Sequence, residues 1–468
     1  TLPASVQACH DLFADNDQSI QENHSRDAQN YRVPNHPYLR TNRFLAAFSH
    51  RLDDQATRNA WIERMLALDR ADREIELKNA GLPAPSGLAR CYQDLAKNIG
   101  FSDDLFDAIV QNTAVPPSYN PMKRWLGAYP ISSRFIRRQV VKLQSRENEA
   151  IDRFSAFADG ANYRVYGKQK RLPVAKVPAP LPTDRLGIPM PSDQDLTRLF
   201  ERHLPMIAVE QISEADQIGS LSATGSGLAV EVQHPSYYTL VSYTHFHGRV
   251  LLQLNYVWWF PKRGRASQID IYAGKLDGLT WRVTLDTDLS VLAYDVMHNC
   301  GCYHMFFPSP RLVTNADNEE ASEPLWLPPI QWPHSAPTIF LKGRSHYLAG
   351  VINAPNLKIS NEVTLRPYDA LRSLAVGARY RSAFGEGGLI KASRRLERFL
   401  LWPSGIASPG AMRQWGHHAT AFVGQRHFDD PFLLARYFSL LPNKSSEKLG
   451  SSEASFFASA SSSSSASR

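Results

Sequence analysis

Residues 237–260 read YYTLVSYTHFHGRVLLQLNYVWWF, two runs of alternating, β-branched and aromatic residues that meet at Gly248. Runs of this composition are typical of β-strands, and a glycine between them favours a tight hairpin turn. The stretch therefore predicts that a strand Tyr237–His247 pairs with a strand Arg249–Phe260. Because hairpin partners run in opposite directions, the pattern indicates an antiparallel sheet.

Further strand-like runs flank this hairpin, at 206–211, 228–233, 269–272, 279–285, 291–298, 338–342 and 348–352. They are too short and too closely spaced for crossover helices, which favours a sandwich or a partly closed barrel. The N-terminal third differs, because its apolar residues recur at helical spacing. The sequence therefore predicts an α+β protein in which an all-helical domain precedes a mainly antiparallel β domain with C-terminal helices.

Changes in composition predict four segments along the 468 residues. Residues 1–160 form the helical domain, and 161–192 form a proline-rich connector without helical or strand period. Residues 193–443 form the mainly β domain. Residues 444–468 form a serine-rich tail whose low complexity predicts disorder.

The formal net charge of +7 favours anionic partners in general. Much of the basic excess lies in four short clusters: Arg134, Arg137, Arg138 and Lys142; Lys168, Lys170 and Arg171; Lys262, Arg263 and Arg265; and Arg394, Arg395 and Arg398. The favoured interpretation of these scattered clusters is solvated surface, and the alternative is binding of an anionic substrate or a membrane surface. No nucleic-acid-binding module is recognisable, and no apolar run is long enough to cross a bilayer as a helix.

The chain starts at Thr1 rather than at Met, which suggests export, with a cytoplasmic location as the alternative. Its four cysteines are too few for a disulfide scaffold. Cys9 and Cys91 can form one bridge in an oxidising compartment. Cys91, however, lies on the apolar face of a predicted helix, where an inert core cysteine is the favoured interpretation.

His245 and His247 are two residues apart on a predicted strand, so we expect their side chains on one face with Cα atoms roughly 7 Å apart. Together with His298 they would give a divalent metal ion three nitrogen ligands and leave one position for water. Zinc is the first choice, with iron or manganese as alternatives. The sequence thus predicts metal-assisted hydrolysis in the β domain, with Asp295 or Asp277 as general base or as a partner of a metal ligand.

The heptapeptide HNCGCYH, residues 298–304, is the densest group of reactive side chains in the chain. A straight strand would hold its two histidines roughly 20 Å apart, so a bulge or turn at Gly301 is needed to bring ligands together. In a second hypothesis Cys300 or Cys302 is a catalytic nucleophile, with His304 or the first histidine as its base. The structural alternative places both cysteines in the core or in a mutual bridge.

Three further side chains, Arg344, His346 and Arg282, are predicted to orient an anionic substrate in the same pocket. The signatures of phosphate-binding loops, dinucleotide folds, zincins and α/β-hydrolases are missing from the sequence. The alternative from another class of function is a non-catalytic binding or scaffold protein. In that case the Cys/His corner would be only structural, and a partner or ligand would be held by the aromatic-rich sheet with Tyr237, Tyr238, Tyr256, Trp258 and Trp259.

Overall fold

The computed structural model describes residues 4–49, 52–98, 103–155, 162–169, 177–225, 227–268, 270–315, 322–333, 336–353 and 357–441. The predicted serine-rich tail, 444–468, lies outside the described residues. So does part of the predicted connector, 170–176.

The first part of the chain is helical, as predicted, with a small hairpin inserted after the first helix. Its elements are α1 (Ala4–Glu22), β1 (Tyr31–Val33), β2 (His36–Thr41), α2 (Arg43–Ala46), α3 (Gln55–Ala80), α4 (Leu88–Asn98), α5 (Asp103–Asn112), α6 (Pro121–Leu126) and α7 (Tyr129–Asp152). Helix α3 begins where the Asp54 carboxylate accepts hydrogen bonds from the backbone N–H groups of Ala56 and Thr57. It ends at Gly81, whose φ of 69° is a left-handed conformation that glycine adopts without strain.

A disulfide between Cys9 and Cys91 joins α1 to α4. The expectation that Cys91 is an inert core thiol is therefore wrong. Its position on the apolar face of α4 is correct, but that face packs against α1, which brings the two sulfur atoms together. The alternative pairing considered for these two residues is the one that forms.

The rest of the chain is rich in strands. Its elements are β3 (Tyr163–Gly167), α8 (Asp193–Arg202), β4 (Met206–Glu210), β5 (Ser220–Thr224), β6 (Gly227–Glu231), β7 (Ser236–Phe246), β8 (Arg249–Arg263), β9 (Gly274–Leu285), β10 (Val291–His298), β11 (Met305–Pro308), β12 (Leu312–Thr314), β13 (Thr338–Leu341), β14 (Leu348–Ile352), β15 (Asn361–Glu362), β16 (Thr364–Pro367), β17 (Leu374–Val376), β18 (Arg379–Arg381), α9 (Arg398–Leu401), α10 (Leu433–Tyr437) and β19 (Phe438–Leu440). The α+β class is confirmed, with helices first and the strand-rich region after them.

Two local expectations in this region are wrong. Strand β3 lies inside the predicted irregular connector and pairs with β4. Of the predicted strand at 269–272, the described residues 270–272 form a turn instead, because the Asp270 carboxylate accepts hydrogen bonds from the N–H groups of Ala266 and Tyr272.

A six-stranded sheet is built around the predicted hairpin, in the order β11, β10, β9, β8, β7, β16. Strands β7 and β8 are antiparallel, with Phe246 opposite Arg249. The two residues between them, His247 and Gly248, have φ values of 48° and 74°, as a two-residue hairpin turn requires. The predicted turn at Gly248 is thus confirmed. Only β16, at the edge of the sheet, runs parallel to its neighbour.

A second sheet, in the order β14, β13, β4, β3, β15, shares a hydrophobic core with one face of the first. Strand β8 shows the alternation that this packing requires. Tyr256 and Trp258 point into the shared core, whereas Val257 and Trp259 belong to a separate core on the opposite face. Strand β8 is therefore buried on both faces, and its aromatic side chains lie in the interior of the protein.

The N-terminal helices dock on the C-terminal segment through buried charges. Arg372 donates to Oδ1 of Asp27 over 2.8 Å and also pairs with Asp72 on α3. The side-chain amide of Gln414 donates to Oδ2 of Asp27 over 2.9 Å. Among the described helices, none combines the length and apolar character needed to cross a bilayer.

Candidate functional site

A group of charged side chains lies at the end of the inner face of the six-stranded sheet. Asp277 on β9 is opposite Phe260 on β8, and His298 is the last residue of β10. Asp277 is fully buried and His298 is 2% exposed. The apolar core between the two sheets thus gives way to a polar cluster at this end, which we call the Asp277 centre.

Three cationic or polar side chains converge on the Asp277 carboxylate. Nδ1 of His346 lies 2.9 Å from Oδ2, and Nη2 of Arg395 lies 3.1 Å from Oδ1. Nδ1 of His298 lies 3.4 Å from Oδ1, a longer contact. Burial acts to raise the pKa of Asp277, but Arg395 and the two imidazoles outweigh it and hold that pKa well below its ordinary value.

The pKa values of the two histidines of the centre shift in opposite directions. His346 is stacked on Phe260 at 3.7 Å, and its Nε2 lies 3.3 Å from Oδ1 of Asp216. Burial lowers the pKa of His346, but the carboxylates of Asp216 and Asp277 raise it overall. Burial lowers the pKa of His298 to about 4 in spite of Asp277. At neutral pH His298 is therefore neutral. The two carboxylates beside His346 favour its protonated form instead, with Asp277 hydrogen-bonded to Nδ1 and Asp216 facing Nε2.

The backbone around the Asp277 centre is strained. Leu276, Tyr303, Arg344 and His346 have φ values of 57°, 59°, 60° and 53°. Left-handed conformations of this kind cost non-glycine residues about 1–3 kcal/mol each and persist only where the surroundings enforce them. Three separate segments thus adopt costly conformations to bring their side chains to one place.

A groove of about 650 Å³ opens above the centre. We call it the basic groove, because seven cationic side chains line it: Lys262, Arg263, Arg265, Lys275, Arg344, Arg394 and Arg395. Arg263 and Arg395 are 5% and 2% exposed and form its floor, whereas the other five side chains are exposed. Asp270 is the carboxylate in the lining.

The floor of the basic groove contains buried donors without acceptors. Nη1 of Arg263 and Nε of Arg395 have no hydrogen-bond partner within the described part of the chain. The guanidinium of Arg263 also lies over the ring of Tyr347, 4.6 Å from its centroid. Buried polar groups are nearly always hydrogen-bonded in proteins, so each exception calls for an explanation.

The rim of the basic groove concentrates charge of one sign. Lys262 and Lys275 are direct cross-strand partners on β8 and β9. Like charges in this arrangement destabilise a sheet. Within the described ranges, neither lysine is ion-paired, and the same holds for Arg265, Arg344 and Arg394.

Three other predicted site residues form a second, separate cluster. Nε of Arg282 donates to Oδ1 of Asp295 over 2.9 Å, and Nε2 of His304 lies 2.9 Å from Oδ2. The guanidinium of Arg282 lies over the ring of Phe428 at 3.8 Å and donates to its carbonyl oxygen. Asp295 alternates with the inward-facing Tyr294, so this cluster lies on the opposite face of the sheet from the Asp277 centre. It is enclosed by protein, as a structural ion pair is.

The predicted turn at Gly301 folds the chain back between β10 and β11. Gly301 has a φ of 90°, and a Cβ atom there would lie 2.4 Å from the carbonyl oxygen of Ala419, so only glycine fits. The turn does not bring the two histidines of the segment together. His298 joins the Asp277 centre, whereas His304 joins Asp295 on the other face.

Cys300 and Cys302 are free thiols in the core beside this turn. Burial raises the pKa of Cys300, but the hydrogen bond from the Cys302 thiol and the charge of Arg395 lower it overall. The hydrogen bond to Cys300 and burial together raise the pKa of Cys302. The two thiols therefore share one proton-donating contact, and both are shielded from solvent.

The predicted metal ligands are not brought together. His245 is opposite Val250 on β8, whereas His298 is level with Trp258, eight residues further along the same strand. This separation is about 26 Å at 3.3 Å per residue. His245 is packed among phenylalanine rings, with the nearest, Phe48, at 4.8 Å, and His247 is exposed in the hairpin turn. Throughout the described ranges, no group of three or more His, Cys, Asp or Glu side chains is arranged to hold a metal ion.

Several members of the site were not predicted as such. Arg263 and Arg395 belong to two basic clusters that are more than a hundred residues apart in the sequence and that the fold brings into one groove. The clusters themselves were the available signal. Asp216 gave no local signal, because its role depends on contact with His346, 130 residues later.

No family model, no curated protein and no solved structure matches this chain.

Proposed function

We propose that this protein binds a small, multiply charged anion, bearing phosphate, sulfate or carboxylate groups, in the basic groove. The observation that carries the proposal is the pair of buried guanidinium donors, Nη1 of Arg263 and Nε of Arg395, that lack acceptors at the groove floor. A buried donor without a partner costs about 1–3 kcal/mol. Oxygen atoms of a bound anion would supply the missing acceptors, and charge-assisted bonds to arginine are the strong ones.

The rim of the groove supports the same proposal. Lys262 and Lys275 face each other across two strands, so the fold brings two like charges together. Unfavourable arrangements of this kind are expected at functional sites. A bound anion placed between the two strands would turn their repulsion into attraction. The groove volume of about 650 Å³ suits a small ligand rather than a single ion.

The Asp277 centre would serve as the support of this site. The Asp277 carboxylate holds Arg395 by a hydrogen bond, and His346 holds the same carboxylate by another. Arg395 is therefore held in position before any ligand arrives, which reduces the entropy that binding costs. The strained conformations of Arg344 and His346 belong to the same arrangement.

Two catalytic hypotheses remain predictions from the sequence. Metal-assisted hydrolysis through His245, His247 and His298 would require ligands that lie about 26 Å apart along the sheet to act together. Nucleophilic catalysis by Cys300 or Cys302 would require a path from solvent to two buried thiols. Anion binding needs neither rearrangement, and we therefore prefer it.

Calorimetric titration with pyrophosphate at low ionic strength tests the proposal. The test variant is Lys262→Ala/Lys275→Ala, and Arg134→Ala/Arg138→Ala on α7 is the control with the same change in charge. We expect the groove variant to bind about tenfold more weakly and the control to bind like the parent protein. Equal weakening in both variants would mean that pyrophosphate senses only the net charge, and no binding by the parent would refute the proposal.

A further inference from the structure

Large apolar side chains are exposed together beside the basic groove. We define the apolar patch as Trp125, Ile131, Phe135, Phe399, Leu400 and Trp402. The first three are 79%, 76% and 66% exposed, and Phe399 and Leu400 are each 62% exposed. Contiguous exposed apolar surface on a protein marks an interaction site.

The two parts of the apolar patch are held against each other. Nε of Arg124 on α6 donates to the carbonyl oxygen of Ser404 over 2.7 Å. Gly127, just after α6, approaches Pro403 so closely that a Cβ atom there would lie 2.6 Å from the Pro403 Cβ. Helix α6 and the start of α7 therefore lie directly against the segment that carries Phe399, Leu400 and Trp402, so the patch is one surface.

Helix α7 presents two different faces. Ile136 is buried, whereas Ile131 and Phe135, one turn apart, point outwards. The exposed apolar side chains therefore do not belong to the buried face that packs the helix against the core. Their exposure is not required by the fold.

The surface around the apolar patch is strongly basic. Residues 108–146 contain seven Lys or Arg residues and no Asp or Glu. Arg134 and Arg138 are exposed on the same helix as Phe135. On the other side, the segment from Arg394 to Leu400 runs from the lining of the basic groove directly into the patch. Apolar side chains and cations therefore share one face of the molecule.

We infer that the apolar patch docks on an anionic phospholipid surface, and that the basic groove receives a phosphate-bearing lipid headgroup. Tryptophan and phenylalanine side chains that enter the lipid interface, flanked by lysine and arginine that meet anionic headgroups, are the usual composition of interfacial binding surfaces. The identification of the headgroup as the ligand of the groove rests on the proposed function. The docking surface itself does not.

Charge decides between a membrane and a second copy of this chain. Self-association through the apolar patch would bring two basic surfaces into contact, and like-charge contacts across an interface are unfavourable. A lipid surface with negative charge complements both features of this face at once. An acidic protein partner is the remaining occupant, and the experiment below separates it from the membrane.

The experiment is co-sedimentation of the purified full chain with vesicles. One set is pure phosphatidylcholine, and the other is an equal mixture of phosphatidylcholine and phosphatidylglycerol. The test variant is Trp125→Ala/Phe399→Ala, and the control is Val313→Ala/Leu441→Ala, which removes two exposed apolar side chains away from the patch. Since all four side chains are exposed, circular dichroism should show that every variant folds.

We expect the parent and the control to bind the anionic vesicles and not the neutral ones, and the test variant to partition at least about tenfold more weakly. Pyrophosphate binding by the test variant should be unchanged. No binding of the parent to anionic vesicles, or equal binding by the test variant, would overturn the docking inference. If the parent protein does not bind anionic vesicles but does bind pyrophosphate, the docking inference fails and the proposed anion-binding function stands. If the parent binds neither vesicles nor pyrophosphate, both proposals are refuted.

Discussion

The imidazole of His346 and the carboxylate of Asp277 form a buried ion pair, with Nδ1 of the histidine 2.9 Å from Oδ2 of the aspartate. Both side chains are fully buried. The same carboxylate also holds Arg395, 118 residues away in the sequence. One aspartate thus holds two buried side chains from two distant segments, and the position of Arg395 at the groove floor depends on it.

Replacement of Asp277 by asparagine should destabilise the protein by about 3–5 kcal/mol, because it leaves His346 and Arg395 buried without their shared counter-charge. Urea unfolding followed by circular dichroism measures this change. Asp103→Asn is the control, since that aspartate is 84% exposed and its ion pair with Arg58 lies at the surface. A loss in Asp277→Asn no larger than in the control would show that the centre does not depend on this charge.

The stability of the protein should fall as the pH decreases from about 6.5 to about 4. Burial lowers the pKa of six histidines to about 3 or 4: His36, His203, His298, His304, His418 and His427. In this window the unfolded chain binds protons that the folded chain does not, so protonation favours unfolding. His346 has the opposite sign: its pKa is raised, so its contribution is present at low pH and is lost as the pH rises through the folded value.

Burial also lowers the pKa of His417, so among the histidines seven act in the first direction and one in the second. The urea midpoint at about pH 5 should therefore lie well below that at about pH 7. Each such histidine contributes a slope of up to about 1.4 kcal/mol per pH unit. His298→Gln should reduce the slope. A midpoint independent of pH over this range would contradict the assignment of neutral buried histidines.

Two of the four cysteines should react with a thiol reagent after unfolding without reductant, and all four after reduction. Before unfolding, Cys300 and Cys302 should react slowly, because both are buried. Reduction of the Cys9–Cys91 bridge should lower stability by about 2–4 kcal/mol, since it releases a long loop of 82 residues in the unfolded chain. Four reactive thiols in the unreduced protein would show that the bridge does not form.

The hairpin at Gly248 and the α+β class were predictable, because local patterns of apolar residues and glycine indicate both. An aspartate beside His298 was also predicted, with Asp295 and Asp277 as alternatives, and Asp277 is the one that lies there. The site as a whole was not, because Arg395 and Asp216 meet it only through contacts between distant segments. Local periodicity carries no information about such contacts.

In the predicted metal site, the end of strand β7 decides whether His245 and His247 lie on the same face of the sheet. The sequence predicted a strand that continues to His247, which would place His245 and His247 on one face. Strand β7 ends at Phe246, and His247 enters the turn with a φ of 48°. The alternation rule therefore does not apply to the second histidine, and its side chain points into solvent while that of His245 packs among aromatic rings.

Reversal of one charge at the rim of the basic groove should separate stability from binding. Lys275→Glu places a carboxylate directly opposite Lys262, so a repulsive cross-strand pair becomes attractive and the free energy of unfolding should rise by about 0.2–1 kcal/mol. The same change should weaken pyrophosphate binding by tenfold or more, because the groove then presents a negative charge to an anion. Lys97→Glu, an exposed reversal on α4 with the same effect on net charge, should leave pyrophosphate affinity unchanged.

Thermal unfolding and calorimetric titration of the two variants measure stability and pyrophosphate affinity. A Lys275→Glu protein that is less stable than the parent yet binds pyrophosphate equally well would mean that the lysine pair is an ordinary surface feature, and that the conflict between charge and fold at this rim has no part in binding.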